Sequence, residues 1–248
     1  MSSRYVLKTP DTEIAETFNA ELLDRFNSHY NIGPGMDIPV VRYDPTENKR
    51  SIHKLHWGLV PAWAKDRKLQ HNNFNARAET IGELASFKAA YKQRRCLIPA
   101  DGFYEWDRSK NIPAPYFFCM EDEAPFAFAG IWESWSVTAN DGTVQSLESC
   151  CMVTTDANKL MTKIYTRMPV IVPVKNYDTW LDPMFLDTSN FKTLLKPFTA
   201  QGMKAWPVSR SMTEGKNTKA GCMKKTGDEL GLLEVKKTVK PRKFYVPH

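Results

Sequence analysis

Two polar clusters set in apolar sequence carry the residue types that chemistry needs: Asn75-Ala-Arg-Ala-Glu79 and Cys96-Leu-Ile-Pro-Ala-Asp-Gly-Phe-Tyr-Glu-Trp106. Glu105 lies between Tyr104 and Trp106 on a strand-like run. Desolvation there would raise its pKa and suit it to general acid–base work. Strand alternation equally allows an exposed Glu between two core aromatics. Asn75 and Arg77 stand two apart, so an extended segment turns both to one side. Arg77 has the planar fork that grips a phosphate bidentately, and Asn75 can hold an amine or a sugar oxygen. The alternative is an Asn in a turn and an Arg77–Glu79 ion pair. Trp63, ahead of Ala64-Lys-Asp-Arg67, is the candidate for stacking on unpaired bases. Trp57, in an apolar strand, reads as core. Arg4, Arg167 and Arg210 are further cations beside strand-like segments, and ion pairing and groove lining are both open to Arg167 and Arg210.

The elements that must position these residues are mostly short strands. Arg4 to Leu7 reads as a strand that brings the N-terminus near the core. Apolar residues at helical spacing predict a helix within 12–26, capped by Asp11 or Thr12. Asn31-Ile-Gly-Pro-Gly35 is a turn cluster. Strands are expected over 38–43, 52–60, 96–98, 116–120, 126–131, 149–154 and 170–172, and around Trp206. A loop is expected over 64–73, a helix over 81–91 and another over 190–196, with helical turns at 158–161 and 175–180. Many strands with few helices predict an α+β domain on a curved or barrel-like, mainly antiparallel sheet with a few peripheral helices. One domain is expected over 1–226, followed over 227–248 by a basic tail in which Lys236, Lys237, Lys240, Arg242 and Lys243 face two acids, Glu229 and Glu234.

The 248 residues are 42% hydrophobic, enough to bury a full core and to exclude global disorder. The formal charge of +6 favours an anionic partner such as nucleic acid, weakly. Five cysteines, Cys96, Cys119, Cys150, Cys151 and Cys222, include no Cys-x-x-Cys pair, so neither a disulfide framework nor a metal site is expected, nor any cofactor. There is no signal-like segment and no run long enough to span a membrane, so the expectation is a cytoplasmic, monomeric protein that engages no membrane.

These two clusters, together with Arg167-Met-Pro-Val-Ile171, resemble the SRAP family (SOS-response-associated peptidases), which handles abasic sites in single-stranded DNA. The resemblance runs in order from residue 2 to about residue 220. It implies that Glu105 assists Schiff-base chemistry at the abasic sugar, that Asn75 lines the active centre, and that Arg4 and Arg77 meet the DNA backbone. It also implies a groove shaped by Trp57, Trp63 and the Asn31–Gly35 turn, with Arg167, Arg210, Lys216 and Asn217 in family-like segments.

The sequence departs from the family at two places. It opens Met1-Ser2-Ser3-Arg4 where the family has Met-Cys-Gly-Arg, and Tyr165 stands where the family usually has His. The family mechanism removes Met1; the freed α-amine then forms an imine with the abasic aldehyde, and the Cys thiol closes it to a thiazolidine. Ser2 keeps an α-amine with a pKa near neutrality, but its hydroxyl is a far poorer nucleophile than a thiol. Tyr165 is a neutral hydrogen-bond donor and a poor base near pH 7. The expected outcome is a transient Schiff base, or a lyase reaction, with no durable crosslink. Two alternatives stand beside it: a single-stranded DNA-binding paralogue without catalysis, and an N-terminal hydrolase in which Ser2 uses its own amine as base and Asn75 helps form an oxyanion hole.

Overall fold

The computed structural model describes residues 3–138, 141–185, 191–214 and 217–232. Strand β1 (Arg4–Leu7) opens the chain, followed by α1 (Asp11–Thr17), β2 (Ala20–Leu22) and β3 (His29–Ile32). The helix expected over 12–26 is one short helix and a strand. Asn19 turns into the left-handed region (φ 46°) just past α1, which stops the helix and leaves Ala20–Leu22 extended against the later strand at residues 50–52. Neither Asp11 nor Thr12 caps it: Pro10 holds the cap position, and Asp11 pairs with Arg25 instead.

The chain continues through β4 (Asp37–Asp44), β5 (Lys49–Trp57), β6 (Asn75–Arg77), α2 (Lys88–Gln93), β7 (Arg95–Ala100), β8 (Gly102–Asp107) and β9 (Ala114–Met120). Two 13-residue strands, β10 (Phe126–Thr138) and β11 (Val144–Asp156), are roughly twice the length the apolar runs predict. Their hairpin pairs in register from Gly130↔Met152 to Thr138↔Val144. Backbone pairing continues outward past the apolar core into polar sequence that periodicity alone does not mark as strand. The remaining elements are β12 (Arg167–Pro169), β13 (Ile171–Val172), α3 (Tyr177–Leu181), α4 (Phe191–Leu194) and β14 (Met203–Pro207). The helix expected over 81–91 is compressed to α2, with hydrogen-bonded turns over 80–87.

The architecture is the expected α+β one, mainly antiparallel and barrel-like. One sheet runs β14-β9-β8-β1-β3, and the larger runs β12-β11-β10-β7-β4-β5-β2. In the larger sheet β5 also pairs with β11, at Ser149↔His56 and Cys150↔Trp57, which closes β11-β10-β7-β4-β5 into a ring. Closure leaves no free edges in that ring. Its interior is filled by residues such as Trp57, Ile98, Phe128 and Cys150, all fully buried. The smaller sheet packs on it through Tyr5 and Phe103, which meet Phe128 edge to face at ring-centroid distances of 6.0 and 5.8 Å. Gly102 permits the β8–β9 contact: a Cβ there would sit 2.6 Å from the Phe118 carbonyl oxygen. Residues 227–230 of the segment read as tail still pack, because Leu230 donates its N–H to Ala205 at 2.8 Å and its side chain touches the core. The basic residues of the tail lie outside the described residues, and no described helix is long and apolar enough to cross a membrane.

Arg95 is buried, and among the described residues it makes no ion pair with a carboxylate. Its guanidinium donates to the carbonyls of Tyr91, Lys92, Trp180, Asp182 and Phe185 and lies 4.5 Å over the Phe191 ring. Burial lowers its pKa to about 10, so it stays charged at neutral pH while closing the ends of α2 and α3. Replacing Arg95 with Met strands those carbonyls. It is expected to cost about 3 kcal/mol of stability, read as a lower urea midpoint with an unchanged m-value. The five thiols are all buried, and desolvation pushes Cys96 and Cys119 to about 12. Native protein should therefore leave all five unreacted toward a disulfide-exchange thiol reagent at pH 8 and release them only in denaturant; rapid reaction of any one in the native state would contradict this packing.

Candidate active site and nucleic-acid interface

The first determinant is the register of β1 on β8. Arg4 pairs with Tyr104, Tyr5 with Phe103 and Val6 with Gly102, antiparallel. Chain preceding Arg4 therefore leaves the sheet at the Glu105 end of β8. The register is locked by Asp101, a buried carboxylate that accepts from the Lys8 and Thr9 amides at 2.6 and 2.9 Å and from the Thr9 hydroxyl at 2.6 Å. Alternation sets Glu105 on the same face as Phe103 and Tyr5, toward the main core, and Tyr104 on the opposite face with Val6. Glu105 is completely buried, and its Oε1 accepts the Trp106 amide at 3.2 Å. Of the two environments that the sequence leaves open to Glu105, the exposed one does not occur.

Asn75 and Arg77 lie on β6, a three-residue strand laid parallel on β11 with Asn75 opposite Met152 and Arg77 opposite Thr154. The preceding Phe74 carbonyl accepts from the Trp57 indole at 2.8 Å and from the Met152 amide at 3.0 Å. Trp57 in turn meets the Tyr5 ring edge to face, with centroids 5.6 Å apart. Strand β1 thus lies between β8, which carries Glu105, and β3, and its Tyr5 ring meets Trp57, whose indole holds the residue before Asn75. Asn75 is buried and Arg77 exposed; among the described residues Arg77 makes no hydrogen bond or ion pair. The Arg77–Glu79 pair that the spacing allows is absent, because Glu79 bonds Arg167 at 2.7 and 3.0 Å.

Arg4 is half-buried, with Nη1 donating to Asn31 Oδ1 at 3.3 Å. Asn31, buried, donates onward to the carbonyls of Met212 and Asn217 at 2.8 and 2.9 Å. In sequence Asn31 reads only as part of a turn, and its long-range role has no local signal. His29 stands beside Arg4, its Nδ1 accepting the Asn31 amide at 3.1 Å. Desolvation, and then the Arg4 charge, hold its pKa below the ordinary histidine value, so it is neutral at pH 7. Trp63 is 61% exposed, with its indole N–H on the Ala85 carbonyl at 3.2 Å. Arg210 is exposed and donates to Ile112 at the β8–β9 turn. Tyr165 is half-buried against the main core, two residues ahead of Arg167 on β12. Arg167 is bound to Glu79, Asp156 and the Thr154 carbonyl. Ser2 and Lys216 lie outside the described residues. No group of three or more His, Cys, Asp or Glu residues able to hold a metal ion occurs among the described residues.

Known proteins of similar sequence and structure point the same way. Residues 1–214 match the profile of the family described as SOS response associated peptidase (SRAP). The chain is 36% identical over 221 residues to the abasic site processing protein YoqW of Bacillus subtilis strain 168, covering 88% of this chain and 96% of that protein. It is 30% identical over 233 residues to the abasic site processing protein HMCES of Rattus norvegicus, covering 81% of this chain and 65% of that one. A crystal structure of a Bacteroides thetaiotaomicron protein superposes with a TM-score of 0.81 at 23% identity, over 90% of this chain and 98% of that one, which speaks to the fold. With the profile spanning most of its length, this chain belongs to the SOS response associated peptidase family.

Proposed function

We propose that this protein binds single-stranded DNA and acts at abasic sites through an imine formed by its N-terminal amine. The observation that carries the reading is the register of β1. It pairs Arg4 with Tyr104, the neighbour of the buried Glu105, while Trp57 holds the carbonyl of Phe74 just ahead of Asn75. The relatives named as abasic site processing proteins supply the substrate class. In the proposed step the α-amine of Ser2, freed by loss of Met1, attacks the C1′ aldehyde of the ring-opened sugar. The carbinolamine loses water to give the imine, and Glu105 handles the proton. Withdrawal of a C2′ proton then allows β-elimination of the 3′ phosphate. Arg4 and Arg77 offer phosphate contacts, Trp63 a stacking face, and Arg210 a more distant cation.

The missing thiol decides the fate of the imine. A Ser2 hydroxyl closing on it forms an oxazolidine, which reopens readily, and every cysteine of the chain is buried in apolar surroundings. The binding-only alternative draws on Ser2 and Tyr165, and the same experiment separates it. Borohydride present during incubation with an abasic single-stranded oligonucleotide should give an adduct that peptide mass spectrometry assigns to Ser2. Omitting borohydride should leave no adduct that survives heating. Micromolar binding with no trapped adduct would establish the binding-only reading instead. Glu105→Gln should lower the trapping rate by about 10²-fold or more while leaving affinity for intact oligonucleotide unchanged. Restoring the thiol with Ser2→Cys should convert the transient species to a heat-stable one without any reductant; no gain in stability would show that Tyr165 or the surrounding groups block ring closure.

A further inference from the structure

An apolar groove of about 530 Å³ opens at the far end of β9 from Glu105. Glu105 pairs with Tyr116, whereas the groove begins at Met120, four residues or about 13 Å further along the strand. Phe126, Val172, Pro173, Val174 and Phe198 line it, and Gly202 lies at one end. Val174 leaves 74% of its surface in solvent. Glu121 and Asp122 are exposed on the rim, and neither enters an ion pair among the described residues. The next acid, Glu123, is taken by Lys204 at 2.8 Å. Lys175 and Lys196 border the adjoining depression, so the groove is acidic on one side and basic on the other.

The chain itself is led to this place. Its last described residues run antiparallel along β14. Val208 bridges Lys225, the Pro207 carbonyl accepts the Thr226 amide at 2.9 Å, and the Ala205 carbonyl accepts the Leu230 amide at 2.8 Å. Lys163 holds the Gly231 carbonyl. Each step moves toward Met203 and Gly202. Three residues, about 10 Å of strand, separate Ala205 from Gly202. The Gly202 carbonyl accepts the Glu121 amide at 3.0 Å, so this approach reaches the acidic side of the groove. The eleven residues 233–243 can span up to about 36 Å, which gives the following segment ample reach. That segment is Phe244-Tyr245-Val246, which holds the only aromatic residues beyond position 232 and directly follows Arg242 and Lys243.

We propose that the groove is the docking site of this chain's own Phe244-Tyr245-Val246 segment, with Arg242 and Lys243 set against Glu121 and Asp122. Apolar burial supplies the attraction, and the rim charges set the direction. A short tether raises the effective concentration to about the millimolar range, so a small contact is enough. A second copy of the chain fits the groove less well, since a stable interface buries about 800 Å² on each partner and this groove admits only a few side chains. The inference is independent of the abasic-site reading, and its test uses no DNA.

Full-length protein carrying p-benzoylphenylalanine in place of Tyr245 is irradiated, and the products are sized, digested and read by mass spectrometry. The expected cross-links lie within one chain and fall in peptides covering 120–126 or 171–177. Val174→Lys should lower their yield about fivefold or more, as should Phe244→Ser and the paired change Glu121→Lys with Asp122→Lys. Val174, Glu121 and Asp122 are exposed, so these variants keep the fold, which an unchanged urea midpoint checks. Hydrogen exchange on protein without the photoprobe gives an independent reading: Phe244→Ser should speed amide exchange in the same two peptides. Cross-links between two chains would give the groove to a second copy and overturn the proposal. Cross-links elsewhere in the chain, or groove cross-links indifferent to all of the variants, would overturn it too, as would no cross-link together with unchanged exchange.

Discussion

The Trp57 indole, fully buried, donates to the Phe74 carbonyl at 2.8 Å while its ring packs edge to face on Tyr5. Much of the molecule is arranged around that junction. Trp57 ends β5 at the point where β5 pairs with β11 and the ring closes, Tyr5 lies on the strand that leads to the chain start, and Phe74 precedes the short strand with Asn75. An indole N–H cannot be left bare in such a place, because a buried unpaired donor costs about 1–3 kcal/mol. The requirement that satisfies Trp57 is therefore the same one that ties the residue before Asn75 to the ring that packs on Tyr5. Core packing and the placement of the Asn75 strand are one problem here.

Charge is handled locally rather than by surplus. The chain carries a net +6, yet its arginines do three different jobs. Arg95 is sunk among carbonyls and closes two helices, Arg167 is paired with two carboxylates and a carbonyl, and Arg77 is exposed with no described partner. The Arg167 bonds hold the Glu79 carboxyl below its usual pKa. That interaction is fully present above the unfolded carboxylate range and is lost as pH falls through the lowered folded value. Glu79 is about half exposed, so the energy involved is modest; its value is in direction and rigidity. Net charge is thus a poor guide to which cation is available to an anionic ligand.

The departures from the family pattern have a shared physical meaning. In the proposed reaction a thiol at the chain start would trap an aldehyde as a stable ring, whereas a hydroxyl would leave the imine as the end point. Every thiol the chain does possess is desolvated, so none substitutes. The histidine beside Arg4, His29, is kept neutral by burial and by that arginine. In the proposed reaction, proton transfer at the imine is assigned to the buried Glu105.

Composition, strand periodicity and ordered motifs by themselves determined the class of the protein. They specified an α+β barrel-like domain, the strand Arg4–Leu7 and the core role of Trp57, while Arg4, Asn75, Arg77 and Glu105 are singled out as a proposed site by the family resemblance. These are legible because alternation and residue type are local properties of the chain. Tertiary structure decided the rest. Glu105 is buried rather than exposed because β1 pairs beside it, which no local pattern encodes. The helix expected over 12–26 gave way to α1 and β2 because Asn19 turns left-handed and β5 offers a pairing edge. Arg167 looks the same in sequence as Arg77, and only the arrival of Glu79 and Asp156 from two other segments separates a clamped guanidinium from an exposed one. The reason is the range of the interactions. Hydrophobic periodicity is set by near neighbours, whereas hydrogen-bond saturation and desolvation depend on groups such as Glu79 and Arg167, 88 residues apart, that meet only when the ring closes.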